Sequence, residues 1–208
     1  TIKIVNNYSA SNIIVSKFNN QLEIENTKNF VGQDLFQSGR IAASLMRVIT
    51  PDNCNIAIIH VDEDYNNSIH MQEKEKGFRT YFSELKNTNY KLNTYSSKNT
   101  ELQNTLNDIL KSSKNLTGIF VTTSKTYMVA EIVKEKNIKI IGYDLLDQNI
   151  QYLKKNLISF LIHQNPKKQV FLGLTYLVEH LLFSKEIPAK SLIPIDIINA
   201  ENLELYLQ

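Results

Sequence analysis

The stretch LTGIFVTTSKTYMVAEIVKEKNIKIIGYD, residues 116–144, decides the fold. Leu116–Val121 is a short, continuous apolar run, as expected of a strand buried on both faces. Residues 124–136 carry Met128, Val129, Ile132 and Val133 at helical spacing. The run 138–141 is apolar again and delivers Gly142-Tyr143-Asp144. Strand, helix and strand at this spacing predict two parallel strands joined by a crossover. In an open sheet of this kind ligands bind in the crevice outside the carboxyl ends of the strands, where Asp144 would stand. Its carboxylate there either meets a ligand or caps the next helix.

The same alternation continues upstream. Residues 100–112 place Leu102, Leu106, Ile109 and Leu110 on one helical face, and 90–95 alternate like a strand. Residues 69–86 form a helix with Met71, Phe78, Tyr81, Phe82 and Leu85 on its apolar side; its run Glu73-Lys74-Glu75-Lys76 reads as a solvated face. An acidic, polar loop at 61–68 follows the buried strand 55–60 (NIAIIH). Residues 35–49 are an amphipathic helix with Asp34 near its N-cap, ended by Pro51. A polar loop at 19–29 and short strands at 1–5 and 12–18 precede it. Downstream, 147–155 is a short helix or turn, and the apolar run 158–162 (ISFLI) ends at His163-Gln164-Asn165-Pro166. Pro166 suits a first helical turn. The helix 166–184 then presents Val170, Leu172, Leu174, Leu177, Val178, Leu181 and Leu182 to a core. Pro188 and Pro194 bracket an extended return at 191–199, and 201–207 form a short end.

The 208 residues carry a net charge of +2, which gives no reason to expect a nucleic-acid surface. The lone Cys54 excludes an internal disulfide and a multi-cysteine metal site, and fits a reducing compartment. No apolar run approaches the length of a membrane-spanning helix. Thr1 is not an initiator Met and no signal-peptide pattern follows, so the chain reads as an excised fragment or processed product. Dinucleotide, P-loop and nucleophile-elbow motifs are missing from the sequence. His60, His70, His163 and His180 have no metal-ligand spacing with one another, and Asp62-Glu63-Asp64 lacks the length and glycine of an EF-hand loop. This leaves no catalytic constellation, and favours a binding protein without cofactor or metal. The polar residues that follow apolar runs are Gln33-Asp34, 62–64, Thr122-Thr123-Ser124, Asp144 and His163-Gln164. Thr122 and Ser124 read as helix caps. For Asp34, Asp144 and Gln164, cap and ligand contact are both open.

Phe30-Val-Gly-Gln-Asp34 followed by Ser38-Gly-Arg-Ile-Ala-Ala-Ser-Leu-Met46 resembles the first lobe crossover of lac-repressor-type (LacI/GalR) effector domains. His70, Lys74 and Gly77-Phe78-Arg79 resemble the first helix of their second lobe. Gly118-Ile-Phe-Val-Thr-Thr123, Ile140-Ile-Gly-Tyr-Asp144 and Ile158-Ser-Phe-Leu-Ile-His-Gln164-Asn-Pro166 resemble their later contact segments, and Pro194-Ile-Asp196 their closing strand. The Gly-Gln-Asp form with this Gln-x-Pro ending looks like regulators of the Bacteroides group. The resemblance implies an α/β, two-lobed, periplasmic-binding-protein-like (type I) fold with parallel sheets flanked by helices and the ligand between the lobes. It implies lobes at 1–52 with 164–190 and at 53–163 with 191–208, the first incomplete because only 31 residues precede Gly32. It implies effector contacts at Asp34, His70, Lys74, Thr123, Asp144 and Gln164. Such a set suits a carbohydrate, since carboxylates accept paired hydroxyls and an amide both donates and accepts. Many members carry Arg at the Lys74 position and Asn or Asp at Thr123; Lys lacks the forked contact of Arg, and Thr offers one hydroxyl. The implied protein is a cytoplasmic, homodimeric regulator whose helix-turn-helix lies upstream of this chain and reads the DNA. The alternatives are an exported solute-binding protein or a receptor sensor of the same fold.

Overall fold

The structure, a computed structural model, describes residues 14–18, 29–62, 68–86 and 89–207. The strand expected at 1–5, the start of the strand at 12–18, most of the polar loop at 19–29, and Glu63-Asp64 lie outside the described residues. The elements run β1 (Ser16–Phe18), β2 (Asn29–Gly32), α1 (Leu35–Ile49), β3 (Asn55–Val61), α2 (Ile69–Ser83), β4 (Lys91–Ser97), α3 (Leu102–Ser112) and β5 (Leu116–Val121). They continue through α4 (Thr126–Val133), β6 (Lys139–Tyr143), α5 (Asp147–Lys154), β7 (Phe160–His163), α6 (Pro166–Phe183), β8 (Lys190–Leu192) and β9 (Asp196–Ile198). The fold is α/β with parallel-dominated sheets flanked by helices, as expected. It divides into two compact units, Thr1–Asp34 with Gln164–Ile195, and Leu35–His163 with Asp196–Gln208.

The first unit holds a parallel sheet in the order β1-β2-β8, in register Ser16↔Asn29 and Val31↔Ser191. Asn29 fastens it, accepting from Ser16 Oγ (2.7 Å) and donating to the Pro188 carbonyl (2.6 Å). Helix α6 packs on β1 and β2, with Gln169 and Gly173 its buried residues. Close approach there turns the opposite side outward. Val170, Leu174, Val178, Leu181 and Leu182, expected to face a core, are exposed.

The second unit holds six strands in the order β4-β3-β5-β6-β7-β9, parallel except for β9, which runs antiparallel to β7. Alternate strand residues point to opposite faces. Ala57, Ile59, Val61, Ile119 and Val121 pack with Leu102, Leu106 and Ile109 of α3 and Val129 and Val133 of α4. Phe120 stacks on Phe78 of α2 with ring centroids 4.5 Å apart.

Two boundaries differ from the sequence expectation. Residues 35–52, placed there in the first lobe, belong to the second unit because α1 packs on α2. Two glycines make this packing close. A Cβ on Gly39 would lie 1.9 Å from the Lys74 carbonyl oxygen, and one on Gly77 would lie 2.0 Å from that of Phe36. Helix spacing of this kind, backbone against backbone, leaves no trace in a hydropathy pattern. The second boundary falls at 195/196 and not 190/191. The extended return is two strands: β8 pairs with β2, while only Asp196–Ile198 pairs with β7. Pro194 lies between them, its carbonyl accepting from Gln33 Nε2 at 2.8 Å.

Candidate functional site

In the second unit the chain leaves β3 for β4 on one side and then returns to β5 on the other. The carboxyl ends of β3 and β5 therefore flank a topological switch point, the usual ligand position in an open α/β sheet. Asp62 follows β3 in a left-handed conformation (φ 59°). It accepts from Lys125 Nζ (2.6 Å) and the Asn99 amide (2.5 Å), and these bonds hold its carboxyl below the ordinary value. Thr122-Thr123 follow β5. Thr123 is 4% exposed, and its hydroxyl has no hydrogen-bond partner among the described residues. A buried hydroxyl left unsatisfied costs about 1–3 kcal/mol, so its position is one that a polar ligand group would relieve.

Lys74 is 2% exposed, which corrects its reading as a solvated residue. Its Nζ donates to the Thr122 carbonyl at 3.1 Å and lies 3.6 Å from the centroid of the Tyr143 ring. Tyr143 in turn shares a 2.7 Å hydrogen bond with Ser38 of α1. Burial pushes the Tyr143 phenol above its ordinary value, the Ser38 bond opposing and the Asp144 charge adding. His70 lies one turn before Lys74 on α2, half-buried.

Glu75 was also expected on the solvated face and is buried. Its carboxylate accepts from His60 Nε2 (2.9 Å), Arg79 Nε (2.6 Å) and Thr94 Oγ (2.5 Å). His60 Nδ1 lies 2.6 Å from Thr122 Oγ. So Thr122, expected as a helix cap, instead ends a buried chain. Burial pushes the Glu75 carboxyl up, but the bonds from His60, Thr94 and Arg79 outweigh it and bring it down from 4.5 to about 2. A carboxyl held low contributes its stability above the unfolded value and loses it as pH falls toward the folded one. The interval corresponds to roughly 3 kcal/mol at neutral pH. Glu75→Gln is expected to cost about 3 kcal/mol, as for removal of one partner from a buried ion pair. Urea denaturation at roughly pH 7 and pH 3 should show the wild type losing more stability on acidification than the variant. Equal losses would remove Glu75 from the account. Thr122, His60 and Glu75 stand in the order of a hydrolytic triad, but Thr122 and His60 are fully buried, whereas such a nucleophile must reach its substrate.

Asp144 follows β6 in a left-handed conformation (φ 66°), its amide donating to the Ile162 carbonyl at 3.0 Å. The cap position of α5 falls on Leu146, so Asp144 is not that cap. Its placement depends on Asn149, fully buried in α5. Asn149 Nδ2 meets the carbonyls of Ser124 (2.8 Å), Tyr143 (3.0 Å) and Asp144 (3.0 Å), and its Oδ1 accepts from the Tyr127 amide at 2.7 Å. One amide thus supports both turns and supplies the α4 cap that Ser124 was expected to give. His163 ends β7; burial holds its imidazole below the ordinary value, against the charges of Asp144 and Asp196.

Asp34 and Gln164 belong to the first unit. The cap of α6 is Asn165 (φ 47°), whose side chain accepts from the Lys168 amide at 3.2 Å, so Gln164 is not needed for that role. Gln164 is buried, and its carbonyl accepts from Gln169 Nε2 at 2.7 Å. Among the six expected contacts, then, Lys74 touches the residues next to both Thr123 and Asp144, while Asp34 and Gln164 lie on the other unit. Asn149, His60 and Glu75 were not foreseen. Among the described residues no group of three His, Cys, Asp or Glu could hold a metal.

Residues 1–185 match the family model of the periplasmic binding protein domain. No curated protein sequence matches. Among solved structures, a candidate LacI transcriptional regulator from Bacteroides fragilis is 27% identical, with a TM-score of 0.90 over 98% of this chain and 73% of that one. GanP, a glucose-galactose binding protein from Geobacillus stearothermophilus, gives 19% identity and a TM-score of 0.81 over 97% and 73%. A solute-binding protein of an ABC transporter from Burkholderia graminis, in complex with D-arabinose, gives 16% and 0.86 over 97% and 72%.

Proposed function

Because the chain belongs to the periplasmic binding protein domain family, we propose that it is the effector-binding part of a LacI-type transcriptional regulator and that its effector is a sugar. The observation that carries the regulator reading is the likeness to the Bacteroides fragilis protein. It exceeds in identity the likeness to GanP and to the arabinose-bound protein, which speak for the fold. The sugar reading is supported by the chemistry of the strand-end groups of the second unit: the carboxylate of Asp144, the hydroxyl of Thr123 and the ring nitrogens of His70 match a molecule of many hydroxyls. The protein acts by binding and not by catalysis. A ligand that binds one conformation of the protein better than another shifts the population by its difference in affinity. A homodimer and an upstream DNA-binding domain read that shift in the cytoplasm.

The test is operator binding by the full-length protein with and without a panel of D-glucose, D-galactose, D-arabinose and D-tagatose. The expected result is a change in operator affinity with at least one sugar; no operator binding, or no response to any of them, would overturn the reading. The second reading is an exported solute-binding protein, a role that the same fold serves in GanP and the arabinose-bound protein. It predicts the protein outside the cytoplasm on cell fractionation, bound to sugar and indifferent to DNA.

A further inference from the structure

Lys74 sits where three segments meet. Its backbone carbonyl is the atom that Gly39 of α1 must clear. Its ammonium holds the Thr122 carbonyl at 3.1 Å, one residue before Thr123. The same ammonium lies 3.6 Å from the ring centroid of Tyr143, one residue before Asp144. Tyr143 closes the loop by its bond to Ser38, next to Gly39. The strand ends carrying Thr123 and Asp144 are thus tied to each other through the Lys74 side chain, and to the start of α1 through that of Tyr143. A second support reaches the same strand end from below: Thr122 Oγ meets His60, and His60 meets Glu75, the residue after Lys74. An ammonium buried in this way carries a large desolvation cost. The carbonyl and the aromatic face that it meets both lower that cost, and both are directional.

We infer that Lys74 is a positioning residue, a clamp that holds the Thr122-Thr123 and Tyr143-Asp144 strand ends in register for the ligand. The inference rests on the sugar-binding reading for its purpose, but not for its detection. Lys74→Met keeps the length and apolar volume of the side chain and removes the ammonium. In the unliganded variant, hydrogen exchange of the amides at 122–126 and 143–147 should quicken by about tenfold or more, with the rest of the sheet unchanged. Sugar affinity should fall by about tenfold or more, as expected when a preorganised site is loosened. Where that variant fails to fold, Tyr143→Leu, which removes the ring beside the ammonium, should loosen the same two segments. Unchanged exchange with lost sugar binding would make Lys74 a ligand contact and overturn the clamp. A lowered melting temperature with exchange quickened everywhere would make its role structural and overturn it as well. If the wild type binds no sugar of the panel, the sugar reading fails while the exchange measurement still decides the clamp.

Discussion

Asn149→Asp should destabilise the protein by about 4 kcal/mol at neutral pH, on the scale of leaving a buried charge without its partner. The change alters one atom and almost no volume. Nδ2 now meets three carbonyl oxygens, those of Ser124, Tyr143 and Asp144, at 2.8, 3.0 and 3.0 Å. A carboxylate oxygen in its place would face three acceptors with no donor, in a residue that is fully buried. Protonation would restore one donor, so burial and the three carbonyls should raise the new carboxyl's pKa. With a raised folded value the deficit opens as pH rises through the unfolded value, and it narrows again on acidification. For a chain of this size 4 kcal/mol corresponds to a fall in melting temperature on the order of 10 °C. Chemical denaturation across pH tests this. A variant as stable as the wild type at neutral pH, or one whose deficit does not shrink in acid, would show that the amide is not holding these turns.

The second large effect is expected at the crossing of α1 and α2. Helix propensity alone says that Gly77→Ala should stabilise by about 1 kcal/mol. The contact geometry says the opposite. The new Cβ would lie 2.0 Å from the Phe36 carbonyl oxygen and 3.1 Å from the Arg40 amide nitrogen, both backbone atoms of the facing helix. Neither can rotate away, so the helices must part, and overpacking of this kind costs about 1–3 kcal/mol or more. We expect roughly 3 kcal/mol for Gly77→Ala and a similar cost for Gly39→Ala, at the high end of that range. The double variant should cost less than the sum, because helices already parted for one methyl have room for the other. Denaturant titration of the three variants measures both points. Stabilisation by Gly77→Ala would mean that the crossing is looser than described.

The regular alternation of apolar strands with amphipathic helices made the parallel sheet of the second unit legible from sequence. Each βαβ step is local, and burial on both faces writes itself into runs such as NIAIIH and LTGIFV. The strand-end positions of Thr123 and Asp144 followed from the same pattern. What could not be read were the contacts that depend on distant backbone. Asn149 looks like any polar residue of a short helix, and only the folded turns after β5 and β6 bring three carbonyls to its amide. His60 and Glu75 meet across strand and helix. One signal was present, however. Met71, Lys74, Glu75, Phe78 and Phe82 fall at the spacing of a single helical stripe, so the inward face of α2 runs through two charged residues. A charged pair inside an apolar stripe is a better sign of a buried network than of a solvated face. The exposed apolar side of α6 shows the converse error. Its pattern says which residues would suit a core, while the narrow contact of that helix with β1 and β2 sets which of them enter one.

The antiparallel strand at the end of the second sheet also bears on solubility. A parallel sheet ending at β7 would present the open edge of Phe160–His163, with a row of unpaired amides and carbonyls able to recruit strands from other molecules. Asp196–Ile198 covers that edge in register Leu161↔Ile198, Ile162↔Ile197 and His163↔Asp196. The strand that becomes the new edge is only three residues long and begins with a carboxylate. Short length and a charge are two of the devices by which natural sheets discourage further pairing. A segment that comes back from the other unit thus serves as an edge guard, and a contiguous piece ending at His163 would keep the five parallel strands but lose their protection against aggregation.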